Sequence, residues 1–147
     1  MSTMRKRLGW IAVVSLLAAS VATDAAAENF RARTLKGTWG FTASGTLLVT
    51  TTPTPAVAVG VATFDGAGGC TSEAKLNVGG TLLQLTASSC SYTVNADGTG
   101  TQLTVFPGVG AFRTDFVIVD NAKEFGLIIS DQAQPGTTLA SGVAKRQ

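Results

Sequence analysis

The sequence contains no histidine, only two cysteines and few charged or aromatic side chains, and each shortage excludes a class of function. Charged residues make up 14% of the 147 positions and aromatic residues 7%, whereas charged residues are about 25% of a typical soluble chain. Without histidine, the chain cannot form a Ser–His or Cys–His catalytic pair or a histidine-ligated metal site. We expect no metal and no cofactor, and no motif assigns a catalytic residue.

The first 27 residues have the pattern of a secretory signal peptide. Residues 5–7 are basic, residues 8–22 carry no charge, and residues 25–27 are small alanines of the kind that precede a cleavage site. The uncharged stretch of 15 residues is shorter than the roughly 20 that a membrane-spanning helix needs. We therefore expect cleavage after Ala27, export to the periplasm or the extracellular medium, and no membrane span in the remaining chain.

Cleavage would leave residues 28–147 as a single domain with balanced charge. This part of the chain holds eight Lys and Arg residues and eight Asp and Glu residues, so its formal net charge is zero. A chain without excess positive charge has no long-range attraction for a polyanion. We therefore expect no nucleic-acid partner.

Both cysteines, Cys70 and Cys90, lie in the exported part of the chain. An even pair in an oxidising compartment typically forms a disulfide. This one would close a loop of about 20 residues, which the chain-entropy model values at on the order of 3 kcal/mol. A redox-active or metal-binding pair is the alternative, but it would need a Cys-x-x-Cys spacing or a third ligand. We predict a structural disulfide.

From residue 35 onward, apolar and polar side chains alternate with a period of two, which indicates strands. Turn signals at residues 65–69, 95–98, 107–110 and 120–123 separate the strands. The prolines in residues 50–55 predict a loop at the barrel mouth, because proline donates no ladder hydrogen bond. The fold class is therefore all-β. Because closure removes exposed sheet edges, we predict a closed antiparallel up-and-down β-barrel of about eight strands, with a β-sandwich as the alternative.

Two short motifs resemble those of the calycins, the group that holds lipocalins and avidins. Residues 35–39, Leu-Lys-Gly-Thr-Trp, resemble the first calycin strand, in which the tryptophan of a Gly-x-Trp motif closes one end of the barrel. Residues 113–116, Arg-Thr-Asp-Phe, resemble a second lipocalin motif. A contact of Arg113 with Trp39 would be a cation–π contact of the kind that calycins use to close a barrel end.

Most of residues 28–147 also resembles a set of exported bacterial proteins that are sometimes grouped with allene-oxide-cyclase-like barrels. The shared motifs are Gly-Thr-x-x-Phe at 37–41, Phe-Asp-Gly-x-Gly at 64–68, Tyr-Thr-Val-Asn-x-Asp-Gly-Thr-Gly at 92–100, and Gly-x-Ala-x-Arg-Gln at 142–147. This resemblance implies a small calycin-like barrel and brings no established activity.

Aromatic side chains on several strands are the candidates for lining a pocket inside the barrel. Small residues of inward parity, such as Ala43, Ala58 and Ala74, leave room for an apolar cavity. Tyr92, the sole tyrosine, would be its polar group. The candidate ligand-binding residues are Trp39, Phe41, Phe64, Tyr92, Phe112 and Phe116.

The acidic residues near the turns have simpler roles. Asp65 and Asp97 are expected to cap their own turns rather than bind calcium, which takes about six to eight oxygen ligands. Arg113 and Asp115 are two apart on one strand face. We expect them to form an exposed ion pair, with a polar-ligand contact or an acid–base pair as the alternative.

Three functions follow from this interpretation. The first is a barrel that binds a small apolar or amphipathic molecule in a cavity that opens near the proline segment. The second is an interaction protein with a solid core and an exposed apolar patch. The third is a cyclase- or isomerase-like enzyme, which would need a carboxylate or tyrosine with a shifted pKa in the pocket.

Overall fold

The computed structural model describes residues 29–49, 52–131 and 138–147. The predicted signal peptide and its cleavage point after Ala27 lie outside the described residues. Two short 3-10 segments, Ala32–Leu35 and Asp120–Ala122, are present in the described ranges, and no helix there is long and apolar enough to cross a membrane.

Nine strands account for most of the described chain. They are β1 (Gly37–Val49), β2 (Thr52–Phe64), β3 (Cys70–Val78), β4 (Thr81–Thr86), β5 (Ser89–Val94), β6 (Thr99–Phe106), β7 (Gly110–Val119), β8 (Glu124–Asp131) and β9 (Thr138–Arg146).

All nine strands belong to one antiparallel sheet, so the described residues do not form a two-sheet sandwich. The hydrogen-bonded order is β4-β3-β2-β1-β9-β8-β7-β6-β5. Each strand pairs with the next strand along the chain, except that β4 does not pair with β5. In addition, β1 pairs with β9. The predicted all-β class and antiparallel order are therefore confirmed, with nine strands and with β4 and β5 at the two ends of the sheet.

The sheet is curled, since its far ends meet at one point. Gly69, just before β3, forms an antiparallel bridge with Ser91 of β5, although β3 and β5 lie at opposite sides of the strand order. The Tyr92 amide also donates to the Gly68 carbonyl oxygen at 2.8 Å. Such contacts require the sheet to bend round until β5 reaches the start of β3.

The predicted disulfide is confirmed at this same point. Cys70 at the start of β3 is bonded to Cys90 of β5, with the two Cα atoms 4.9 Å apart. The covalent bond therefore fastens β5, at one end of the curled sheet, to β3, the strand next to the other end. A disulfide of this kind is typical of a non-reducing environment.

Burial alternates along the strands as the sequence pattern predicts. In β2, Ala56, Ala62 and Phe64 are buried, whereas Val57 and Val59 are more than half exposed. Because successive side chains of a strand point to opposite faces, the first set faces the inside of the curl and the second faces outward. The inner face therefore carries the core.

The prediction that residues 50–55 form a loop was wrong for the part that the structure describes. Residues 52–55 belong to β2, with Pro53 opposite Leu48 and Pro55 opposite Thr46 of β1. β3 pairs with β2 only from Ala56 onward. The prolines are tolerated because β3 offers them no ladder partner. Thr50 and Thr51 lie outside the described residues.

The predicted turns at 65–69, 95–98, 107–110 and 120–123 all connect strands in the structure. Asp65 Oδ1 accepts hydrogen bonds from the amides of Ala67 at 2.6 Å and Gly69 at 3.0 Å, and these donors lower the pKa of the Asp65 carboxyl. Asp97 Oδ1 accepts from the Thr99 hydroxyl at 2.7 Å and its amide at 2.9 Å, which lowers the Asp97 pKa. Both residues cap their own turns, as predicted.

Candidate functional site

One end of the curl is filled by aromatic side chains. Trp39 is completely buried, with its ring centroid 5.0 Å from that of Phe125, and Phe64 packs edge-on against Tyr92 at 4.8 Å. The segment Ala32–Leu35 covers this end, where Leu35 accepts a hydrogen bond from Trp39 Nε1 on its carbonyl oxygen at 2.7 Å. We call this end the closed end. Its buried members are Leu35, Trp39, Phe64, Tyr92, Phe116, Ile118 and Phe125.

The cation beside Trp39 is Arg146, not Arg113. The guanidinium carbon of Arg146 lies 4.8 Å from the Trp39 ring centroid. Its Nη1 and Nη2 donate to the carbonyl oxygens of Lys36 at 2.8 Å and Thr34 at 2.6 Å. The correction follows from register, since β1 pairs with β9 so that Trp39 and Arg146 are direct partners.

Arg113 lies on the outer face of β7 and pairs with Asp115, as predicted. Arg113 Nη2 is 2.8 Å from Asp115 Oδ1, and both side chains are exposed. The carboxylate acceptor raises the pKa of the Arg113 guanidinium. This ion pair is remote from the inner face, because inward and outward residues alternate along β7.

The other end of the curl contains a cavity of about 740 Å³. Its size follows from the side chains on the inner face: alanines of β1, β2 and β3 line the cavity, whereas aromatic rings fill the closed end. Gly60 also lets the Phe41 ring lie against β2, because a Cβ at this position would collide with that ring. The wall of small residues consists of Ala43, Ala56, Ala58, Ala62, Ala74, Ala140 and Ala144.

The cavity opens to solvent at the end away from Trp39. Lining residues there are partly exposed: Leu48 and Val109 are 38% exposed and Leu83 is 37% exposed. They come from the β1, β4 and β6–β7 turn regions. We call this opening the mouth. It adjoins the proline-containing start of β2, where the sequence placed the opening of a cavity.

None of the described residues that line the cavity carries a charge. Its deeper wall consists mainly of apolar side chains, among them Phe125, Leu127, Ile129 and Leu85. The same part of the structure holds no group of three or more metal-ligating Cys, Asp or Glu side chains. The arrangement therefore favours contact with an apolar molecule.

The cavity also has a small polar wall beside the disulfide. It is formed by Ser72 of β3, Gln102 and Thr104 of β6, and Thr114 of β7, and we call it the polar patch. Ser72, Thr104 and Thr114 are buried at 5%, 4% and 8% exposure. Gln102 Nε2 donates to Thr104 Oγ1 at 2.9 Å, which fixes the amide against the wall.

The six predicted binding residues divide into two groups. Phe41 and Phe112 line the cavity. The other four, Trp39, Phe64, Tyr92 and Phe116, pack in the closed end. Sequence parity identifies which residues face inward but not how far along the curled sheet each one lies, and that position decides which of them reach the cavity.

Tyr92 is not the polar group of the cavity. Its hydroxyl donates to the Ala32 carbonyl oxygen at 2.9 Å, and its side chain is 4% exposed. Burial raises the pKa of the phenol. The polar patch takes that place, and its members were missed because Thr and Gln are common on exposed strand faces.

Residues 72–75 read Ser-x-x-Lys, a spacing found in serine hydrolases with a lysine partner. On β3 the two residues lie on opposite faces, with Ser72 buried and Lys75 exposed. The two residues lie three positions apart on a strand, which puts them on opposite faces, whereas a helix would place them side by side. The motif therefore forms no catalytic pair here.

A scan against models of known protein families and a search of curated proteins both found no match for this chain.

Proposed function

We propose that this chain is an exported binding protein that holds a small apolar or amphipathic molecule inside the curled sheet. The cavity of about 740 Å³ with a largely apolar, uncharged lining is the observation that supports the proposal. Ligand sites of small molecules are typically about 300–1,000 Å³ and mostly apolar. One molecule of that size class fits the space.

The closed end supports the proposal by giving the cavity a rigid base. Trp39, Phe64 and Leu35 are the largest fully buried side chains of the described chain. An apolar ligand that rests on a packed base displaces water without requiring the protein to rearrange. The ligand would enter at the mouth, where the lining is exposed.

A closed calycin-like barrel is the finer form of the fold that we propose. Two features support it: the meeting of β3 and β5 at the disulfide, and the tryptophan of the first strand under an arginine. The proposal predicts that β4 approaches the β6–β7 turn in solution. Amide exchange along β4 measures this, because a strand with one free edge exchanges faster.

Export is the second element of the proposal. The leader-like pattern of residues 1–27 and the Cys70–Cys90 disulfide support it independently. N-terminal sequencing of the protein from its own host is the test. A chain that begins at Glu28 is expected, whereas an intact leader on a cytoplasmic chain would overturn export.

A fluorescence titration tests ligand binding. N-phenyl-1-naphthylamine, an uncharged probe that brightens in apolar surroundings, is expected to bind one per chain. Ala58→Phe fills the cavity, because Ala58 lines it, and should lower the affinity at least tenfold. Val59→Phe is the matched control, since Val59 is the next residue on β2 and points outward at 53% exposure. Equal binding by both variants would contradict the proposal.

A protein-interaction surface is the second candidate function, and the outer face of β2 favours it. Val57, Val59 and Val61 are 56%, 53% and 40% exposed in one row. Contiguous exposed apolar residues often mark an interface. Sedimentation velocity of the exported chain and of Val59→Lys measures this: self-association that the lysine abolishes would support an interface, and two identical monomers would oppose self-association.

A further inference from the structure

Thr104 has a hydroxyl proton without a good acceptor. Its oxygen already accepts from Gln102 Nε2 at 2.9 Å. Within the described ranges its one other hydrogen-bonding contact is with Cys90 Sγ at 3.7 Å. Because Cys90 is in a disulfide, its sulfur has no proton to donate, so the Thr104 hydroxyl must be the donor in that contact.

Sulfur is a weak acceptor, and this distance is long for any hydrogen bond. The Thr104 side chain is 4% exposed, so bulk water does not surround it. It nevertheless lines the cavity. A buried hydroxyl whose proton has only a distant sulfur as acceptor, next to an apolar cavity, is poised to donate to an oxygen atom of a bound molecule.

The residues that line the cavity also determine which charge the bound molecule can carry. The cavity lining holds no cation among the described residues, and the nearest arginine along β7, Arg113, is on the outer face and paired with Asp115. A carboxylate in the cavity would lose its hydration without gaining a counter-charge, which is strongly unfavourable. The buried end of the ligand is therefore neutral.

We propose that the cavity selects neutral molecules with an alkyl or ring body and one hydrogen-bond-accepting oxygen, such as a ketone, aldehyde or ester, and that this oxygen accepts from Thr104 beside the disulfide. This inference rests on the proposed function and names its ligand class. Gln102 acts as a positioning residue, because its amide holds the Thr104 oxygen and directs the hydroxyl proton away from itself.

Displacement of N-phenyl-1-naphthylamine tests the inference with three probes of one length. They are 2-decanone, its isostere 2-methyl-1-decene, in which a methylene group replaces the oxygen, and decanoate. The measured quantity is the ratio of the ketone and alkene dissociation constants in each variant. This ratio cancels the difference in water solubility between the two probes, because that difference is the same for every variant.

Thr104→Val keeps the shape of the side chain and removes the proton. We expect it to shift the ratio about fivefold against the ketone, the effect of one neutral hydrogen bond, and Thr104→Ser to leave the ratio unchanged. Decanoate is expected to displace the fluorophore at least tenfold more weakly than 2-decanone at neutral pH.

The outcomes separate the inference from the proposed function. If Thr104→Val leaves the ratio unchanged, or if decanoate binds as well as the ketone, the inference is overturned while the cavity remains a binding site. If neither the fluorophore nor any of the three probes binds to the wild-type chain, the proposed function itself fails. Binding of the alkene by Thr104→Val, equal to wild type, shows that the variant is folded.

Discussion

The guanidinium of Arg146 lies 4.8 Å above the centroid of the Trp39 ring and also donates to two carbonyl oxygens of residues 34 and 36. One side chain at the end of β9 therefore holds the covering segment Ala32–Leu35, the first strand and the last strand together. The Trp39 indole is in turn anchored by its hydrogen bond to Leu35. The closed end depends on this pair.

We predict that Arg146→Met destabilises the fold by about 1–2 kcal/mol, because it removes the cation–π contact and the charged donors. The matched control is Arg113→Met, which removes an exposed ion pair and is expected to change stability much less. Urea unfolding at equilibrium measures both. Equal midpoints for the two variants would contradict the anchoring role of Arg146.

Trp39→Ala is predicted to cost about 3–5 kcal/mol, the usual range for removal of a buried tryptophan. The side chain is 0% exposed and packs against Phe125, so the void cannot be filled by a small adjustment. Thermal unfolding followed by circular dichroism is the measurement. An unchanged melting curve would show that the indole does not close this end.

Because Tyr92 is buried, we predict that the folded protein loses stability at alkaline pH. Burial raises its pKa above the usual 10.0, so the folded state keeps the phenol protonated when the unfolded chain has begun to lose its proton. The stabilisation is complete below the unfolded pKa and is lost as the pH rises through the folded pKa.

Since Tyr92 is the one tyrosine of the chain, the absorbance of tyrosinate reports its titration directly. The titration midpoint is expected at a higher pH than that of free tyrosine, and the titration should coincide with loss of stability. Tyr92→Phe should remove this part of the pH dependence. A titration at the ordinary pKa in the folded protein would contradict the buried phenol.

Removal of the disulfide is expected to lower stability and to open the curl. Cys70 and Cys90 are 20 residues apart, and the double substitution to alanine should cost on the order of 3 kcal/mol. Amide exchange of β4 and β5 should increase more than that of β1 and β9, because the bond holds β5 against β3, the strand next to β4. Uniform exchange across all strands would argue against this role.

The strands and turns could be predicted from the sequence because each is fixed by local chemistry. Alternation in β3 and β5, the Asx-type caps at Asp65 and Asp97, and the cysteine pair needed no tertiary information. The proline segment failed because tolerance of proline depends on where β3 stops pairing with β2, which is a property of the assembled sheet.

The candidate site was less predictable, since it depends on register and depth. Arg146, rather than Arg113, lies beside Trp39 because β1 pairs with β9. Trp39 and Arg146 are 107 positions apart in the chain. The polar patch brings Ser72 of β3 near Thr104 of β6 only after the sheet has curled. No local sequence pattern shows that these two residues become neighbours.

Native mass spectrometry of the protein, purified gently from its own host, tests the central claim most directly. The account predicts one small neutral molecule per chain, retained by wild type and by Val59→Phe and lost in Ala58→Phe. A bare chain in all three, together with no uptake of N-phenyl-1-naphthylamine by the wild-type protein, would contradict the claim that the cavity is a binding site.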